Sequence, residues 1–424
     1  MSCSDYHEVG GSSPPAVEYV SKSELGEEQA EWKDQDRSLY LCVADYYGRR
    51  CKVRYSVYRI NLKALLFSKD LKLGTAFAIS NNHNLGACAG FGMGFSTLLL
   101  AGGFGAKYCK ELVVAEPCRD IWDIQTRARN NIFQANLAPF LDGKVRPLIW
   151  NVDGNLFALA RNPPPPICDG SKGEWTNCFE MCQSADSQWV RLPDPPSYAY
   201  PIVDEPGGGG ASMDGVDECG GGGAGDEEMG VVDDSVRRFM YYSRFSFAIL
   251  GSQLFVSNPE HPEYSYKCNL SRVDGNWPVE WKASRFPFEG VTLGVQTEQG
   301  FVVFSHAVIP PESPEYMVIK VHLLINGSDE PMMPSQSLML PPQDLDVVQD
   351  SQFVDLGGQK VCFLYSKTKT SKLLVTAITF SFRFEEGNKF RAKFYPTRNW
   401  EFQDKAESKS LLWNMEQMVG AVVG

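Results

Sequence analysis

Histidine is the side chain that most often transfers protons or binds metals near neutral pH. The chain has five: His7, His83, His261, His306 and His322. None is spaced as a metal ligand from another histidine, a cysteine or a carboxylate. His306 and His322 flank two adjacent predicted strands, so a copper site there is one interpretation. A copper enzyme with such a histidine pair would also need a neighbouring tyrosine and cysteine. We favour the interpretation that both imidazoles are hydrogen-bonded within the protein or exposed to solvent.

The twelve cysteines indicate no metal site either. Cys178 and Cys182, the closest pair, are four residues apart, with no second pair and no nearby histidine, so we expect no zinc site. The start of the chain has no basic region followed by an apolar one, which predicts that the protein is not secreted. The cysteines are therefore expected to be reduced thiols in the cytosol or nucleus.

Two glycine patterns resemble the phosphate-binding loop of dinucleotide enzymes. They are Gly92-Met-Gly94 and Gly103-Phe-Gly105. Neither continues to a third glycine at the required spacing, and neither opens a helix within a βαβ unit. We therefore interpret both as parts of strand-turn-strand elements.

Carboxylates are concentrated in one stretch of the sequence. Ten lie between Asp204 and Asp234 without a single Lys or Arg, and removing them changes the formal net charge from −12 to −2. The glycine tracts 207–210 and 220–223 interrupt this stretch, which cannot bury a core. We interpret 203–235 as a loop expansion, with contact to a basic partner as the alternative. Because the chain has no basic face, nucleic-acid binding is not expected.

The elements that must position these residues are short strands. From Ser38 onward, apolar runs of five to eight residues alternate with turn signals such as Asp153-Gly154 and Gly251-Ser252. Helical spacing occurs over 120–136, near 411–419 and around 22–32. The longest apolar cluster, 95–101, is too short to span a membrane. The pattern predicts an all-β protein.

Internal repetition defines the architecture. A strand, a tight turn, a second strand, a polar loop and a third strand recur, and the second strands are marked by Leu39, Leu98, Leu156, Leu254, Phe301 and Val361. Once the acidic insert is removed, the intervals are close to 50–60 residues, which is typical of propeller blades of four strands. We predict a β-propeller, with six blades as the preferred number. A pair of β-sandwiches is the alternative.

The third and fourth units resemble kelch repeats. Ser96–Gly103 matches the first half of the kelch pattern, an apolar strand that ends in a glycine pair, and the stretch from Val152 to Trp189 is similar to plant F-box/kelch-repeat proteins. The resemblance implies a galactose-oxidase-like, kelch-type β-propeller. In such a fold Trp189 fills space between adjacent blades and is structural rather than ligand-binding.

The resemblance covers roughly residues 38–402 and departs from the family in two respects. Residues 1–37 do not look like an F-box, which would be an apolar helical module. Related iron-dependent kelch proteins carry a Glu-x3-Asp-x3-His pattern, and no histidine here is preceded by an aspartate four positions earlier. We therefore predict no catalytic, cofactor-binding or metal-binding residues.

These observations divide the chain into three parts. Residues 1–37 are predicted to form a disordered polar arm, 38–405 the propeller with its insert, and 406–424 a C-terminal tail. The first hypothesis for function is a non-enzymatic scaffold that binds a partner protein, which is a ubiquitin-ligase subunit in one version. The alternative is a propeller enzyme that uses carboxylates in the central channel. A cluster of at least three acidic or histidine side chains at one channel mouth would favour the enzyme.

Overall fold

A computed structural model describes the following residues of the chain: 17–32, 37–47, 52–68, 71, 73–79, 89–95, 97–103, 112–115, 137–161, 178–184, 187–199, 245–258, 261–272, 279–286, 288–306, 318–325, 331–332, 335–341, 350–369, 372–385, 389–402 and 415–424. The described part is all-β, as predicted, with two α-helices. None of its helices is long and apolar enough to cross a membrane.

The strands are, in chain order, β1 (Glu18–Tyr19), β2 (Ser38–Tyr47), β3 (Lys52–Asn61), β4 (Gly74–Ile79), β5 (Gly90–Gly94), β6 (Thr97–Ala101), β7 (Leu112–Ala115), β8 (Leu148–Val152), β9 (Asn155–Leu159), β10 (Phe179–Cys182), β11 (Val190–Arg191), β12 (Ser246–Leu250), β13 (Gln253–Ser257), β14 (Tyr266–Asn269), β15 (Lys282–Ala283), β16 (Val291–Thr297), β17 (Gly300–His306), β18 (Val318–Leu324), β19 (Gln336–Met339), β20 (Asp350–Gly357), β21 (Lys360–Lys369), β22 (Lys372–Glu385), β23 (Lys389–Phe394), β24 (Arg398–Phe402) and β25 (Met415–Val423). The helices are α1 (Lys22–Glu31) and α2 (Leu62–Phe67).

The described strands form six antiparallel meanders. In order of pairing they are β25-β2-β3-β4, β5-β6-β7, β8-β9-β10-β11, β12-β13-β14-β15, β16-β17-β18-β19 and β20-β21-β22 followed by β23 and β24, and we number them first to sixth. A single parallel pair, Phe247↔Val291, joins the fourth and fifth into one sheet. All six residues chosen from the sequence as second-strand marks lie in the second strand of a meander.

Six clusters of buried apolar residues lie between successive meanders. They join the first to the second, the second to the third, and so on to the sixth, and the last cluster joins the sixth back to the first. Each meander therefore buries both of its faces, which explains why strands such as β2 and β9 are continuous apolar runs rather than alternating ones.

Glycines allow the first strands of neighbouring meanders to approach closely. A Cβ atom added at Gly92 would lie 2.7 Å from Ile149, and one added at Gly294 would lie 2.0 Å from the Leu250 side chain. The strand β5 continues through a tight turn into β6 rather than into a helix. Gly92-Met-Gly94 is thus part of a strand-turn-strand element, as the sequence indicated.

One end of the assembly carries the first-to-second connections, which are short, together with the third-to-fourth connections, and we call it the tight-turn end. Here β5–β6, β8–β9, β12–β13, β16–β17 and β20–β21 are each joined by two residues. Asp153 and Gly154 both have positive φ, 51° and 79°, the backbone that a type I′ hairpin turn requires. The Asp-Gly and Gly-Ser turns predicted from the sequence lie at this end.

The opposite end, which we call the long-connection end, carries the links between meanders. These include residues 116–147 between β7 and β8 and residues 192–245 between β11 and β12. The acidic insert at 203–235 belongs to the second of these links, but it lies outside the described residues, as do 120–136 and 274–277.

The prediction of a disordered arm over residues 1–37 is wrong for the described part of that segment. The strand β1 pairs in parallel with β23, and α1 follows it with a capping box formed by Ser21 and Glu24. Val20 is buried in the cluster between the sixth and first meanders, with Leu25 and Trp32 packed beside it. The helix itself was predicted at nearly the same residues.

The prediction of a C-terminal tail with helical character near 411–419 is also wrong. The strand β25 begins at Met415 and pairs antiparallel with β2, from Tyr46↔Met415 to Leu39↔Val423. It supplies the first strand of the first meander, which the N-terminal part of the chain does not provide. A short apolar run fits a strand as well as a helix, and here pairing with β2 decides the outcome.

Candidate binding surface at the long-connection end

Three charged side chains meet at the long-connection end. Arg146 precedes β8, Arg161 follows β9, and Asp350 begins β20 in the sixth meander. An Arg146 Nη2 atom lies 2.7 Å from Asp350 Oδ1. Because the third and sixth meanders are not neighbours in the cycle, this ion pair crosses the assembly from one side to the other.

Arg161 remains cationic in this position. Burial and, to a smaller extent, the nearby charge of Arg146 lower its pKa to about 10, while the charge of Asp350 opposes the shift. The hydroxyl of Tyr198, whose own pKa is raised by burial, donates to Ala160 O at 2.5 Å and so fixes the backbone next to Arg161. Guanidinium groups recognise carboxylate and phosphate by paired hydrogen bonds and do not act as acids or bases at neutral pH.

A serine–histidine pair lies at the same end and resembles a nucleophile with its base. Ser351 Oγ and His306 Nδ1 are 3.3 Å apart. Burial lowers the pKa of His306 to about 4, and the ring packs 4.7 Å from that of Phe363. A general base works best with a pKa near the operating pH, and no carboxylate of the described residues hydrogen-bonds this imidazole. The pair therefore lacks the features of an activated serine.

The two histidines considered as a copper pair lie on opposite faces of the fifth meander. His322 is opposite Val303 in the strand register, and His306 is opposite Ile319. His322 packs against Phe286 on the side of the fourth meander, whereas His306 packs against Phe363 on the side of the sixth. Among the residues described, no group of three His, Cys, Asp or Glu side chains could hold a metal ion.

Other buried titratable groups have structural roles in the third meander. Lys144 Nζ lies 2.6 Å from Glu180 Oε1, with both side chains fully buried. The Glu180 carboxylate also accepts the backbone N–H groups of Leu141 and Asp142, so it holds the link 137–147 against the sheet. Burial raises the pKa of Asp194 to about 6, although two backbone N–H groups donate to it.

Two cysteines and Trp189 also have structural roles. Cys178 and Cys182 are buried thiols, and burial raises the pKa of both. Trp189 is 3% exposed and lies in the cluster between the second and third meanders. Its Nε1 atom donates to Ala138 O at 2.8 Å, and its ring packs edge-on against Phe140. This is the position between neighbouring units that the sequence predicted.

Sequence reasoning missed Arg146, Arg161 and Asp350. No local spacing connects them, because Asp350 and Arg146 are separated by 204 residues and meet only across the assembled sheets. The one available signal is weak: all three residues stand at the ends of apolar strands, where side chains of a β-structure reach a common edge.

Comparisons with known proteins identify no family for this chain. It matches no protein-family model, and no curated protein matches it significantly. Among solved structures it is similar to Kluyveromyces lactis Hsv2, with 8% sequence identity, a TM-score of 0.35, and coverage of 82% of this chain and 96% of that one. A likeness this distant carries no argument about fold or function. The proposals below rest on the chain's own geometry.

Proposed function

We propose that the six meanders are the blades of a kelch-type β-propeller. Three observations support it: the apolar clusters connect successive meanders and join the sixth back to the first, the first strands of the fourth and fifth meanders run parallel, and β25 from the C-terminus completes the first meander. Gly102 and Gly103, with φ of 72° and 105°, follow a second strand as in kelch repeats. A Cβ at Gly102 would lie 2.3 Å from Lys144 O, so the close approach requires glycine.

We propose that this propeller is a non-enzymatic scaffold that binds a partner protein at the long-connection end. The asymmetry of the two ends carries the proposal. Connecting segments tolerate insertion and commonly hold binding residues on a rigid framework, and here the two longest, 116–147 and 192–245, lie at the same end.

The alternative, an enzyme using channel carboxylates, has less support. It requires at least three acidic or histidine side chains converging at one channel mouth. At the long-connection end, the described cluster instead contains two arginines and Asp350, and the Ser351–His306 pair has a weak base. A scaffold needs no such chemistry.

The class of partner follows from charge and compartment. A protein partner in the cytosol or nucleus is proposed, since the described cysteines are buried thiols and the net charge of −12 disfavours nucleic-acid binding. A ubiquitin-ligase subunit is one version of this partner. In that version, the propeller would select substrates while a separate subunit supplies the ligase contact.

Matched charge reversals at the two ends test the proposal. Glu263, in a 3₁₀ turn after β13, lies at the long-connection end, and Glu298, in the turn before β17, lies at the tight-turn end; both are exposed. Tagged full-length wild type, Glu263→Arg and Glu298→Arg are used as bait, with quantitative mass spectrometry of the captured proteins and thermal melts to verify folding. Glu289→Arg provides a second variant at the long-connection end.

We expect capture of partners to change several-fold with Glu263→Arg or Glu289→Arg, rising for an acidic partner surface and falling for a basic one, and to be unchanged by Glu298→Arg. Loss with Glu298→Arg alone would assign binding to the tight-turn end and contradict the proposal. Enrichment of ligase adaptor subunits would support the degradation version. Turnover of a small-molecule substrate by purified wild type would favour the enzyme.

A further inference from the structure

The N-terminal segment 17–32 covers an edge of the sixth meander. In β1, Glu18 pairs with Lys393 and Tyr19 with Phe394 of β23, and Val20 N donates to Phe394 O at 2.9 Å. An added strand is a known mode of peptide binding, in which main-chain hydrogen bonds give affinity and side-chain contacts give specificity. Here the chain adds the strand from its own N-terminus.

Ionic contacts hold this segment to the sheet. Lys393 Nζ lies 2.7 Å from Glu24 Oε1 and 3.4 Å from Glu18 Oε1. The Tyr395 hydroxyl donates to Glu28 Oε2 at 2.5 Å. The hydrogen bond from Lys393 and those with Ser21 lower the pKa of Glu24 to about 2, so this carboxylate is ionised at neutral pH. Exposed ion pairs of this kind contribute little stability individually.

Packing beneath the helix is incomplete. A cavity of about 350 Å³ separates α1 from the sheet. Its lining includes Glu27 on the helix and Phe382, Arg383 and Arg391 on the strands. Protein interiors are normally filled, because each gap loses van der Waals contacts. The charged face of α1 therefore borders open space, whereas Val20, Leu25 and Trp32 pack on the core.

The sheet surface and the segment have opposite charges. The sheet presents Arg383, Arg391 and Lys393, with one carboxylate, Glu385, bridging the two arginines. The segment presents Glu18, Glu24, Glu27 and Glu28 toward the same cavity. The groove is thus built for an extended acidic chain with an aromatic or apolar residue beside it, as in Glu18-Tyr19-Val20.

We propose that the edge of β23, with Arg383, Arg391 and Lys393, is a docking groove for an extended acidic segment of a partner protein, and that residues 17–32 occupy it as a built-in competitor. The groove lies on the outer strands of the sixth meander. It is separate from the long-connection end, so it does not depend on the binding face proposed above.

A peptide supplied in trans tests the groove. The probe is a fluorescently labelled peptide with the sequence of residues 17–32, and binding to the full-length chain is measured by anisotropy at low salt. The tethered segment has the advantage of a high effective concentration, so we expect weak binding to wild type. Glu24→Lys places a cation against Lys393 and removes the capping contact, and it should tighten peptide binding at least ten-fold.

Glu27→Lys is the matched control. It makes the same change of charge one turn further along α1, but Glu27 forms no ion pair with the described residues, so peptide binding should change much less. In a Glu24→Lys background, Lys393→Ala should abolish binding, since it removes the groove's cation without restoring an ion pair to the tethered segment. A probe with lysine at both Glu18 and Glu24 should also fail to bind.

Hydrogen exchange at residues 17–32 separates the outcomes. If Glu24→Lys releases the segment, shown by faster exchange, while the peptide still does not bind, the groove accepts only its tethered segment and the proposal is overturned. If the segment stays protected in that variant, Val20→Asp is used to release it. Peptide binding to that variant would support the proposal, and its absence would overturn it. Thermal melts of each variant exclude unfolding as the cause.

Discussion

The two ends of the assembly differ in how much of their structure the sheets dictate. At the tight-turn end, five pairs of strands are joined by two residues each, and turns such as Asp153-Gly154 have the positive φ that such short hairpins need. At the long-connection end, chain segments of up to several tens of residues leave one meander and enter the next. The difference indicates that one end is fixed by strand pairing, whereas the other is free to vary without changing the framework.

Removing β25 should have the largest effect on this framework. A chain that ends at residue 414 lacks the nine residues of β25 and leaves the backbone of β2 unpaired along one edge. It also removes Met418 and Ala421 from the cluster that joins the sixth and first meanders. We expect a loss comparable to the entire stability of a typical domain, about 5–15 kcal/mol, observed as insoluble protein or no cooperative thermal transition.

A deletion of equal length within the insert, residues 207–216, is the control for this truncation. It should leave a cooperative transition near that of wild type. A soluble, cooperatively unfolding chain without β25 would show that the first meander is stable with three strands, and would contradict the closure proposed here.

Replacing Trp189 should have the next largest effect. Its ring fills the space between the second and third meanders, so Trp189→Ala should cost about 3–5 kcal/mol through lost burial and a cavity. Trp281 occupies the corresponding position before the fourth strand of the fourth meander, but it is only partly buried. Denaturant unfolding should therefore show a clearly smaller loss for Trp281→Ala.

Binding per folded molecule should be unchanged in Trp189→Ala, because the side chain is structural. If the variant kept wild-type stability and lost a partner, Trp189 would instead belong to a recognition surface at the tight-turn end. That result would reverse the assignment of the two ends.

The buried histidines predict a pH dependence of intermediate size. Burial lowers the folded-state pKa of both His306 and His322 to about 4, below the unfolded value near 6.5. The unfolded chain therefore binds protons first, and stability present above pH 6.5 is lost as the pH falls toward 4, by up to about 1.4 kcal/mol per pKa unit for each group. The double variant His306→Gln/His322→Gln should have a flatter profile.

The measurement is the free energy of unfolding at pH 7.5 and pH 5, compared between wild type and the double variant. The difference between the two proteins matters rather than the wild-type slope, because Asp194, with its raised pKa, titrates in the same range with the opposite sign. Equal slopes in both proteins would show that these imidazoles are not buried as described.

Deleting residues 207–234 should have the smallest effect. The segment is acidic and rich in glycine, so it can bury little, and the entropy of closing a loop grows only slowly with its length. We expect nearly unchanged thermal stability. A loss greater than about 2 kcal/mol would show that the insert packs on the long-connection end as part of the framework.

Particular residues show how far local sequence was sufficient. The six second-strand marks, the two-residue turns and the buried position of Trp189 were all predictable, because apolar runs and turn signals act within a few residues. The helix α1 was expected within an otherwise unstructured arm. Its docking on β23 was not, because the contact of Glu24 with Lys393 joins opposite ends of the chain and leaves no pattern in either segment.

The sequence by itself determined the units of this protein: short strands, the turns between them and their sixfold recurrence, since these depend on side-chain periodicity and backbone preferences. Only the tertiary structure decided how these units contact one another. It paired β25 with β2, placed β1 along β23 and brought Arg146 to Asp350. Such contacts depend on burying the exposed faces and edges that remain when all units are assembled, and no single segment of the sequence contains that information.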